Sequence, residues 1–375
     1  MPVPSSAPLR FIISGGGTGG HIYPAVAIAN ELRARHPDCE ILFVGALGRM
    51  EMVRVPEAGY EIRGLRVAGL QRRFTLQNLA FPFKLIGAVR EARRIVQEFR
   101  PDVVVGVGGY ASAPTLLAAS NLDIPTLIQE QNSYAGLTNK LLAKRAARIC
   151  VAYEGMERFF PASKIVLTGN PVRSDILSAR QHSLEAAQYF DLTAGKCTVL
   201  VIGGSLGART INQSIRAGLE RLVEAGCQVI WQTGKPYYNE AVSFATPFQA
   251  RGVKVFDFIK RMDLAFALAD VVVSRAGALA ISELSLTGHP CILVPSPNVA
   301  EDHQTKNAQA LADRGAAILI PDAEASDRLI DELLALIRDP ARQESLRRRL
   351  RPLGRPQATA AIVNEVLALV PSGRH

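Results

Sequence analysis

Residues 11–32 read FIISGGGTGGHIYPAVAIANEL, an apolar run that passes through a glycine-rich turn into a helical pattern. The run predicts a buried strand, and the pattern after it predicts a helix from about Pro24 to Ala34. Glycine lets a ligand approach the backbone closely, and the start of a helix favours an anion. The stretch therefore predicts a strand–turn–helix unit of an α/β fold, with a turn suited to a phosphate group.

The same alternation of apolar runs and helical patterns continues along the chain and nearly repeats itself. DVVVGVGGYASAPTL at 102–116 is echoed by DVVVSRAGALAISEL at 270–284, and FIISGGGTGG at 11–20 by VLVIGGSLGA at 199–208. Continuous apolar strands separated by helices predict parallel sheets covered on both faces. We therefore expect two Rossmann-like, doubly wound domains, at 1–168 and 169–355, with a C-terminal helix at 356–375 that packs back on the first.

Composition narrows the class of protein. The 375 residues are 48% hydrophobic, enough for two cores, and contain no apolar run of membrane-spanning length or secretory signal pattern. The five cysteines are scattered, which predicts free thiols in a reducing cytoplasm and no zinc site. The net charge of +9 fits solvated basic faces, anionic lipid or an acidic substrate. No nucleic-acid-binding motif accompanies it, so a nucleic acid partner is not expected.

The first glycine turn formally matches the G-x-G-x-x-G fingerprint of dinucleotide-binding folds. That fingerprint requires an acidic residue at the end of the second strand to hold the ribose. Gly45 and Ala46 occupy this position, which disfavours NAD or FAD. In the second half, Glu283 follows the turn at Gly277 and is a candidate ligand for ribose hydroxyls. The alternative is an acidic residue that only stabilises its own helix.

Seven strings occur in order across nearly the whole chain: GGTGGHIYPAVAIA, GGYASAPTLLAA, QEQNSYAGLTNKLLAK, TGNPVR, VIGGSLGARTIN, SRAGALAISE and DHQTKNA. The set resembles the peptidoglycan N-acetylglucosaminyltransferases of glycosyltransferase family 28. The resemblance implies the GT-B fold, two Rossmann-like domains facing a central cleft. It also implies inverting transfer of N-acetylglucosamine from UDP-N-acetylglucosamine to the 4-hydroxyl of N-acetylmuramic acid in lipid I, giving lipid II for peptidoglycan.

The resemblance also implies roles for individual residues in binding the donor. The matching positions are Thr18, Gly19, Gly20 and Asn132 in the first half, and Arg173, Ser205, Ile259, Ala278, Leu279, Ala280, Ile281, Ser282, Glu283 and Gln304 in the second. Arg173 and Ser205 match contacts to the diphosphate, Ile259 the uracil pocket, Glu283 the ribose and Gln304 the sugar hydroxyls. Two positions depart from the pattern of many relatives, Leu206 where they have glutamine and Gln129 where they have histidine.

Transfer from a nucleoside diphosphate sugar needs a group that stabilises the negative charge on the departing diphosphate. Many sugar transferases use a divalent metal held by D-x-D, and this sequence contains no such motif. Helix N-termini, Ser205 and Arg173 are the available substitutes. We therefore expect transfer without a metal ion or other cofactor.

The acceptor hydroxyl must also lose a proton, and two residues are candidates for the base. His21 lies at the first glycine turn, where a helix N-terminus favours the neutral imidazole that a base requires. It could instead hold the acceptor pyrophosphate or fix the loop. Glu130 is the other candidate.

The acceptor's lipid tail stays in the bilayer, so we expect a peripheral membrane contact on the cytoplasmic face. The segment at 70–96 mixes basic and apolar residues in a way that suits an anionic lipid surface; we select Arg72, Arg73, Phe74, Leu79, Phe81 and Lys84. An ordinary amphipathic helix with a core face is the alternative. Lys144, Arg145 and Arg148 extend the basic surface.

The sequence leaves several other functions open. Another GT-B enzyme of UDP-sugars, such as a glycolipid synthase or a UDP-N-acetylglucosamine 2-epimerase, shares the expected fold. An NAD-linked oxidoreductase and a membrane-associated scaffold without activity are the others.

Overall fold

The computed structural model describes residues 7–67, 81–172, 176, 182–204, 206–299 and 302–372, with the backbone alone for residues 81–84. The chain divides into two compact units, one formed by Met1–Val172 with Gln357–His375 and the other by Arg173–Pro356. The first division falls a few residues after the predicted boundary at residue 168. The second division, after Pro356, assigns the C-terminal segment Gln357–His375 to the first unit.

The described part of the first unit contains a seven-stranded parallel sheet. Its strands, in chain order, are β1 Arg10–Ser14, β2 Glu40–Ala46, β3 Glu61–Leu65, β4 Val103–Gly106, β5 Thr126–Glu130, β6 Arg148–Val151 and β7 Ile165–Leu167. They are arranged in the order β3-β2-β1-β4-β5-β6-β7. In β1, Phe11 and Ile13 pack into one core cluster while Ile12 packs into another, so both faces of the sheet are covered. Burial on both faces explains why the strands read as continuous apolar runs.

Helices follow the strands of this sheet: α1 Gly19–Arg35, α2 Glu51–Glu57, α3 Phe81–Phe99, α4 Ser112–Ser120 and α5 Leu137–Leu142. The predicted start of α1 at about Pro24 is wrong, because the helix begins five residues earlier at Gly19. Pro24 is the sixth residue of the helix and has no N–H to donate to the carbonyl of Gly20, yet the helix continues through it.

The second unit repeats the architecture. Its strands among the described residues are β8 Thr198–Ile202, β9 Gln228–Gln232, β10 Val253–Phe256, β11 Val271–Ser274, β12 Cys291–Leu293 and β13 Ile318–Leu319. All pairs are parallel, in the order β10-β9-β8-β11-β12-β13. The helices are α6 Ser183–Phe190, α7 Arg209–Glu224, α8 Tyr238–Ala245, α9 Met262–Leu268, α10 Ala278–Thr287, α11 His303–Ala312, α12 Ala325–Ile337 and α13 Pro340–Leu350.

The last helix, α14 Ala358–Leu367, belongs to the first unit. Ile362, Val363 and Val366 are fully buried in the same core cluster as β1. On the surface beside them, Arg35 donates to Asn364 over 2.6 Å. The C-terminus therefore completes the first core.

In each sheet the direction of the strand order reverses at the strand that comes first in the chain, which is β1 in the first unit and β8 in the second. β1 pairs with β2 on one side and with β4 on the other, and β8 pairs in the same way with β9 and β11. Ligands of doubly wound sheets bind at the carboxyl ends of the strands at such a switch point. The prediction of two Rossmann-like α/β domains is confirmed, and each has one edge at which a site is expected.

Candidate functional site

The turn between β1 and α1 occupies the switch point of the first unit. Thr18 is the residue before the helix, with extended backbone, and its carbonyl accepts from the amides of His21 and Ile22 over 3.1 and 3.2 Å. Gly17 before it has φ +85, in the left-handed region that favours glycine. The first amides of a helix have no partner within the helix. Gly19 and Gly20 therefore present backbone donors without a side chain that would keep a ligand away.

His21 lies in the first turn of α1 and bends back over the glycine loop. Its Nδ1 is 3.0 Å from the carbonyl oxygen of Gly16 and 3.4 Å from Oγ1 of Thr18. A carbonyl oxygen can only accept, so in this contact Nδ1 carries the proton. The neutral ring then carries its lone pair on Nε2. This tautomer lets His21 accept a proton at Nε2 while Nδ1 fixes the ring.

A second glycine turn, after β4, packs against the first. Gly16 donates to the carbonyl of Gly108 over 3.3 Å. A Cβ on Gly108 would lie 2.9 Å from Nε2 of His21, and one on Gly109 would lie 2.4 Å from the carbonyl oxygen of Gly16. Both residues also have φ near +90. The two turns can pack this closely only because Gly108 and Gly109 have no side chains. Their packing fixes the position of His21.

Glu130 ends β5 and is almost fully buried. Its Oε1 accepts from the backbone and side-chain amides of Asn132 over 3.0 and 3.3 Å. Its Oε2 accepts from the Gly136 amide over 3.0 Å and from the Asn139 side chain over 2.8 Å. Both oxygens thus hold the loop after β5 in place. This loop carries Asn132, so Glu130 fixes the position of a predicted donor ligand.

Buried amide side chains tie the end of the first unit to its sheet. Gln129 donates to Asn170 over 3.0 Å, and Asn170 donates to the carbonyl of Gln131 over 3.0 Å. Gln131 in turn donates to the carbonyl of Val107 over 2.7 Å, and also to the side chain of Gln129. Gln129, at the position where many relatives have histidine, is therefore a neutral structural link to the segment before Pro171.

The corresponding turn of the second unit follows β8 and leads into α7. Gly207 has φ +77, and a Cβ there would lie 2.3 Å from the carbonyl oxygen of Thr233. Gly234 has φ +80, and a Cβ there would lie 2.3 Å from the backbone nitrogen of Gly207. Leu206 is 73% exposed beside them. The turn packs on the loop after β9, which brings the start of α7 to the switch point.

The predicted uracil and ribose segment forms the start of α10. Gly277 precedes it with extended backbone (φ −66, ψ 144), and a Cβ there would meet no atom within 4 Å among the described residues. Ala278 and Ile281 face the core, while Leu279, Ala280, Ser282 and Glu283 are half-buried. Ile259 is buried after β10, and its amide donates to Gln232 at the end of β9 over 3.0 Å. These residues all follow the carboxyl ends of their strands.

Arg275, directly after β11, is a residue that the sequence analysis missed. Its Nη1 donates to the carbonyls of Val294 and Pro295 over 3.1 and 3.0 Å and forms an ion pair with Asp322. The loop that it holds continues to Ser296, whose amide donates to Oε1 of Gln304 over 2.9 Å. Arg275 therefore braces the loop that positions Gln304. The signal was an arginine next to a glycine turn, in a string from which the sequence analysis selected only Gly277 to Glu283.

Glu51 is the second missed residue. It is fully buried at the start of α2, and its carboxylate accepts from the amides of Gly17 and Ala46 over 2.8 and 3.0 Å. A carboxylate thus lies near the end of β2, but its oxygens bond to backbone groups. No local pattern in the sequence distinguishes it from an ordinary first-turn acid.

Several predicted residues lie outside the described ones. They are Arg72, Arg73, Phe74, Leu79, Arg173 and Ser205, together with the side chains of Phe81 and Lys84. Their roles stay predictions. Among the residues that the structure does describe, no group of three or more His, Cys, Asp or Glu side chains could hold a metal ion. None of the described helices has the length and apolarity that crossing a membrane requires.

Comparison with protein families gives two matches. Residues 11–151 match the glycosyltransferase family 28 N-terminal domain, and residues 198–358 match the C-terminal domain of the same family. A protein of Cytophaga hutchinsonii is 56% identical over 99% of this chain and 100% of its own length. One from Porphyromonas gingivalis is 56% identical over 98% of this chain and 97% of its own. Both are named UDP-N-acetylglucosamine–N-acetylmuramyl-(pentapeptide) pyrophosphoryl-undecaprenol N-acetylglucosamine transferase.

Solved structures give the same fold. MurG of Acinetobacter baumannii is 30% identical, with a TM-score of 0.78, over 96% of this chain and 100% of that one. A UDP-GlcNAc 2-epimerase from Neisseria meningitidis, bound to UDP-GlcNAc, has a TM-score of 0.66 over 96% of this chain and 100% of its own. Its identity is 15%, so this second likeness concerns the fold alone.

Proposed function

The chain belongs to glycosyltransferase family 28, and we propose that it transfers N-acetylglucosamine from UDP-N-acetylglucosamine to N-acetylmuramyl-(pentapeptide) pyrophosphoryl-undecaprenol, the lipid I of peptidoglycan synthesis. The observation that carries this proposal is the 56% identity, over 99% of this chain and the full length of the other, to a relative that bears the name of this transferase. The 2-epimerases share only the fold, so they do not favour a second function.

The second unit binds the donor. Glu283 accepts the ribose hydroxyls, and Ile259 with the start of α10 lines the uracil. The diphosphate lies at the start of α7, where the glycine turn offers backbone amides and the positive end of the helix dipole. Gln304, held by the Ser296 amide, contacts the sugar. Arg173 and Ser205 complete the diphosphate contacts.

The first unit activates the acceptor. The 4-hydroxyl of N-acetylmuramic acid gives its proton to Nε2 of His21 as its oxygen attacks the anomeric carbon of N-acetylglucosamine. The new carbon–oxygen bond forms on the opposite face from the departing UDP, which leaves with the electron pair of the broken bond. The anomeric carbon is therefore inverted. Glu130 positions Asn132 and takes no proton, because four donors already surround its carboxylate.

No metal ion takes part. The negative charge on departing UDP is balanced by Arg173, Ser205 and backbone amides at the helix start, in the manner of an oxyanion hole. The absence of D-x-D from the sequence supports this proposal.

The protein binds the cytoplasmic face of the membrane through the first unit. Leu137 and Leu141 on α5 are 55% and 72% exposed and lie four residues apart, so they share one helix face. Lys144 and Arg145 follow them and are exposed. Apolar side chains flanked by basic ones suit an anionic lipid surface. They add a second candidate contact to the membrane segment that the sequence predicts at Arg72 to Lys84.

Product analysis tests the transfer itself. Purified protein is incubated with UDP-N-acetylglucosamine and a water-soluble lipid I analogue, and the acceptor is examined by mass spectrometry. We expect an acceptor heavier by one N-acetylhexosamine, joined by a β-linkage, and His21→Ala should form it at least about 100-fold more slowly. Donor hydrolysis or epimerisation without an extended acceptor would refute the proposal.

Vesicle sedimentation tests the membrane surface. Leu141→Asp should weaken binding to vesicles that contain anionic lipid while turnover of a soluble acceptor stays normal. Leu184→Asp is the matched control, because Leu184 is equally exposed, at 73%, but belongs to the second unit. Equal binding by both variants and the wild type would contradict the proposed contribution of α5.

A further inference from the structure

Glu51 is a buried carboxylate with a dedicated place beside the first glycine turn. Its side chain is fully shielded from solvent, and its two oxygens bond separately, Oε1 to the amide of Ala46 and Oε2 to that of Gly17. A buried carboxylate is costly unless hydrogen bonds compensate it. These two bonds connect the end of β2 to the turn that begins α1.

Two glycines make room for this carboxylate. A Cβ on Gly16 would lie 2.2 Å from Cδ and Oε1 of Glu51, and one on Gly45 would lie 2.6 Å from its Cγ. Neither glycine has positive φ, so close approach accounts for them. Gly45 occupies the place where a dinucleotide fold would present its acidic residue. Here that space admits a carboxylate from α2 instead.

The contact between Glu51 and Gly17 leads directly to His21. The Gly17 N–H and the Gly16 carbonyl belong to one planar, conjugated peptide group. The N–H donates to Oε2 of Glu51 over 2.8 Å, and the carbonyl accepts from Nδ1 of His21 over 3.0 Å. The result is a continuous chain of hydrogen bonds, from imidazole through one peptide to a carboxylate.

Hydrogen bonds in such a chain polarise one another. A carboxylate that accepts the peptide N–H increases the negative charge on the peptide oxygen, which then attracts the Nδ1 proton more strongly. Carboxylates that contact a functional histidine directly select its tautomer and orient its ring in this way. Glu51 is also a carboxylate, but it contacts His21 only through the intervening Gly16–Gly17 peptide group.

We propose that Glu51 is a positioning residue for the transfer reaction, which holds the proton of His21 on Nδ1 through the Gly16–Gly17 peptide and so keeps Nε2 as the proton acceptor. This inference rests on the proposed role of His21 as the base. The competing explanation is a purely structural one, in which Glu51 only braces the glycine loop and any loss of activity follows from a loosened fold.

Kinetics of Glu51→Gln are the first test of the proposal. Glutamine has one accepting oxygen, so it cannot serve both amides. We expect kcat to fall about 10- to 100-fold, the usual effect of losing an orienting partner of a functional histidine, while KM for UDP-N-acetylglucosamine stays constant. Glu57→Gln, at the exposed end of the same helix, is the matched control and should retain full activity.

A double variant tests whether Glu51 acts through His21. If it does, Glu51→Gln combined with His21→Ala should be no slower than His21→Ala alone. If Glu51 acts independently, the two losses should multiply, and that result would overturn the proposal.

The imidazole nitrogens give a readout that does not depend on turnover. Long-range proton–nitrogen correlation spectra of protein labelled in histidine show which ring nitrogen carries the proton. His21 is assigned by the signal that His21→Ala loses. We expect the Nδ1–H form in the wild type, and a substantial share of the Nε2–H form in Glu51→Gln. An unchanged tautomer in a folded Glu51→Gln protein would refute the proposal.

Failure of the proposed function stays distinguishable, because it shows as wild-type protein without transfer or as a fully active His21→Ala. The tautomer comparison still tests the link between Glu51 and His21 in those cases. If Glu51→Gln does not fold, Glu51→Asp replaces it, since its carboxylate keeps its charge but is too short for both amides. It should shift the same signal, and an unshifted signal would again refute the proposal.

Discussion

Substitution of Glu130 by glutamine separates the two roles that the sequence allowed for this residue. As a base, Glu130 would exchange a proton in each turnover. In the structure it holds the loop after β5, because its two oxygens accept from Asn132, Gly136 and Asn139. The substitution changes one of these oxygens into an NH₂ group and leaves the size of the side chain unchanged.

The cost follows from the donors that lose an acceptor. The Asn139 amide can rotate, because its Oδ1 has no donor among the described residues and can accept from the new NH₂ group. Gly136 then loses its acceptor, and an unsatisfied buried N–H costs about 1–3 kcal/mol. Gly136 is half-buried, so water reaches it and we expect the lower part of that range, about 1–2 kcal/mol. For a domain of this size the melting temperature should fall by about 2–8 °C.

Differential scanning calorimetry is the appropriate assay, since Trp231 lies in the second unit and its fluorescence reports on that unit. Turnover is measured on the same samples. We expect the lowered melting temperature together with a loss of kcat of less than about tenfold, whereas removal of a base costs about 100-fold or more. Glu157→Gln, exposed in the same unit, is the control and should change neither quantity. An unchanged melting temperature with a 100-fold loss of kcat would show that Glu130 is the base.

Three further predictions concern the glycine turns, the second unit and the metal. Gly109→Ala should destabilise the first unit by about 1–3 kcal/mol in calorimetry, because it combines positive φ with a Cβ 2.4 Å from the Gly16 oxygen. A Cβ on Gly87 would meet no described atom within 4 Å, so Gly87→Ala should not destabilise the protein. Equal destabilisation by Gly109→Ala and Gly87→Ala would contradict the packing argument. Arg275→Leu should cost about 1–3 kcal/mol, since the half-buried carboxylate of Asp322 loses its ion pair and keeps the hydrogen bond from the Thr210 hydroxyl, and it should weaken UDP affinity in calorimetric titration; wild-type affinity would show that the brace does not support the donor site. Turnover should persist in EDTA, and loss of turnover that magnesium restores would refute metal-independent transfer.

The fold was predictable because it depends on patterns that are local in the sequence. Strands buried on both faces read as apolar runs, and the repeated glycine turns mark the strand-to-helix connections of both units. The start of α1 was not predictable in this way. Five glycines and Pro24 suggest a loop, yet the helix begins at Gly19 because tertiary packing against Gly108 and Gly109 fixes the turn.

The candidate site was predictable only in part. Thr18, His21 and Glu283 belong to strings that also carry the fold, so the sequence marks them. The functions of Glu51 and Arg275 depend on partners far away in the chain, Gly17 for the first and Asp322 for the second. Such a long-range contact leaves no periodic pattern of residues in the sequence. Glu130 differs from these two, because its partners Asn132, Gly136 and Asn139 are close in the chain. Its identity as an acid suggests proton transfer, but its contacts indicate support of a loop.

Calorimetric titration with nucleotides, in a buffer that contains EDTA, tests the proposed donor site most directly. Wild-type protein should bind UDP about tenfold to a hundredfold more tightly than 2′-deoxy-UDP, since a hydrogen bond from a hydroxyl to a charged carboxylate contributes about 1.5–3 kcal/mol. Glu283→Ala should lose most of this preference, while Glu220→Ala, on the exposed face of α7, should keep it. If UDP does not bind without a metal ion, or if Glu283→Ala still prefers the ribonucleotide by the wild-type factor, then the start of α10 is not where the donor is held.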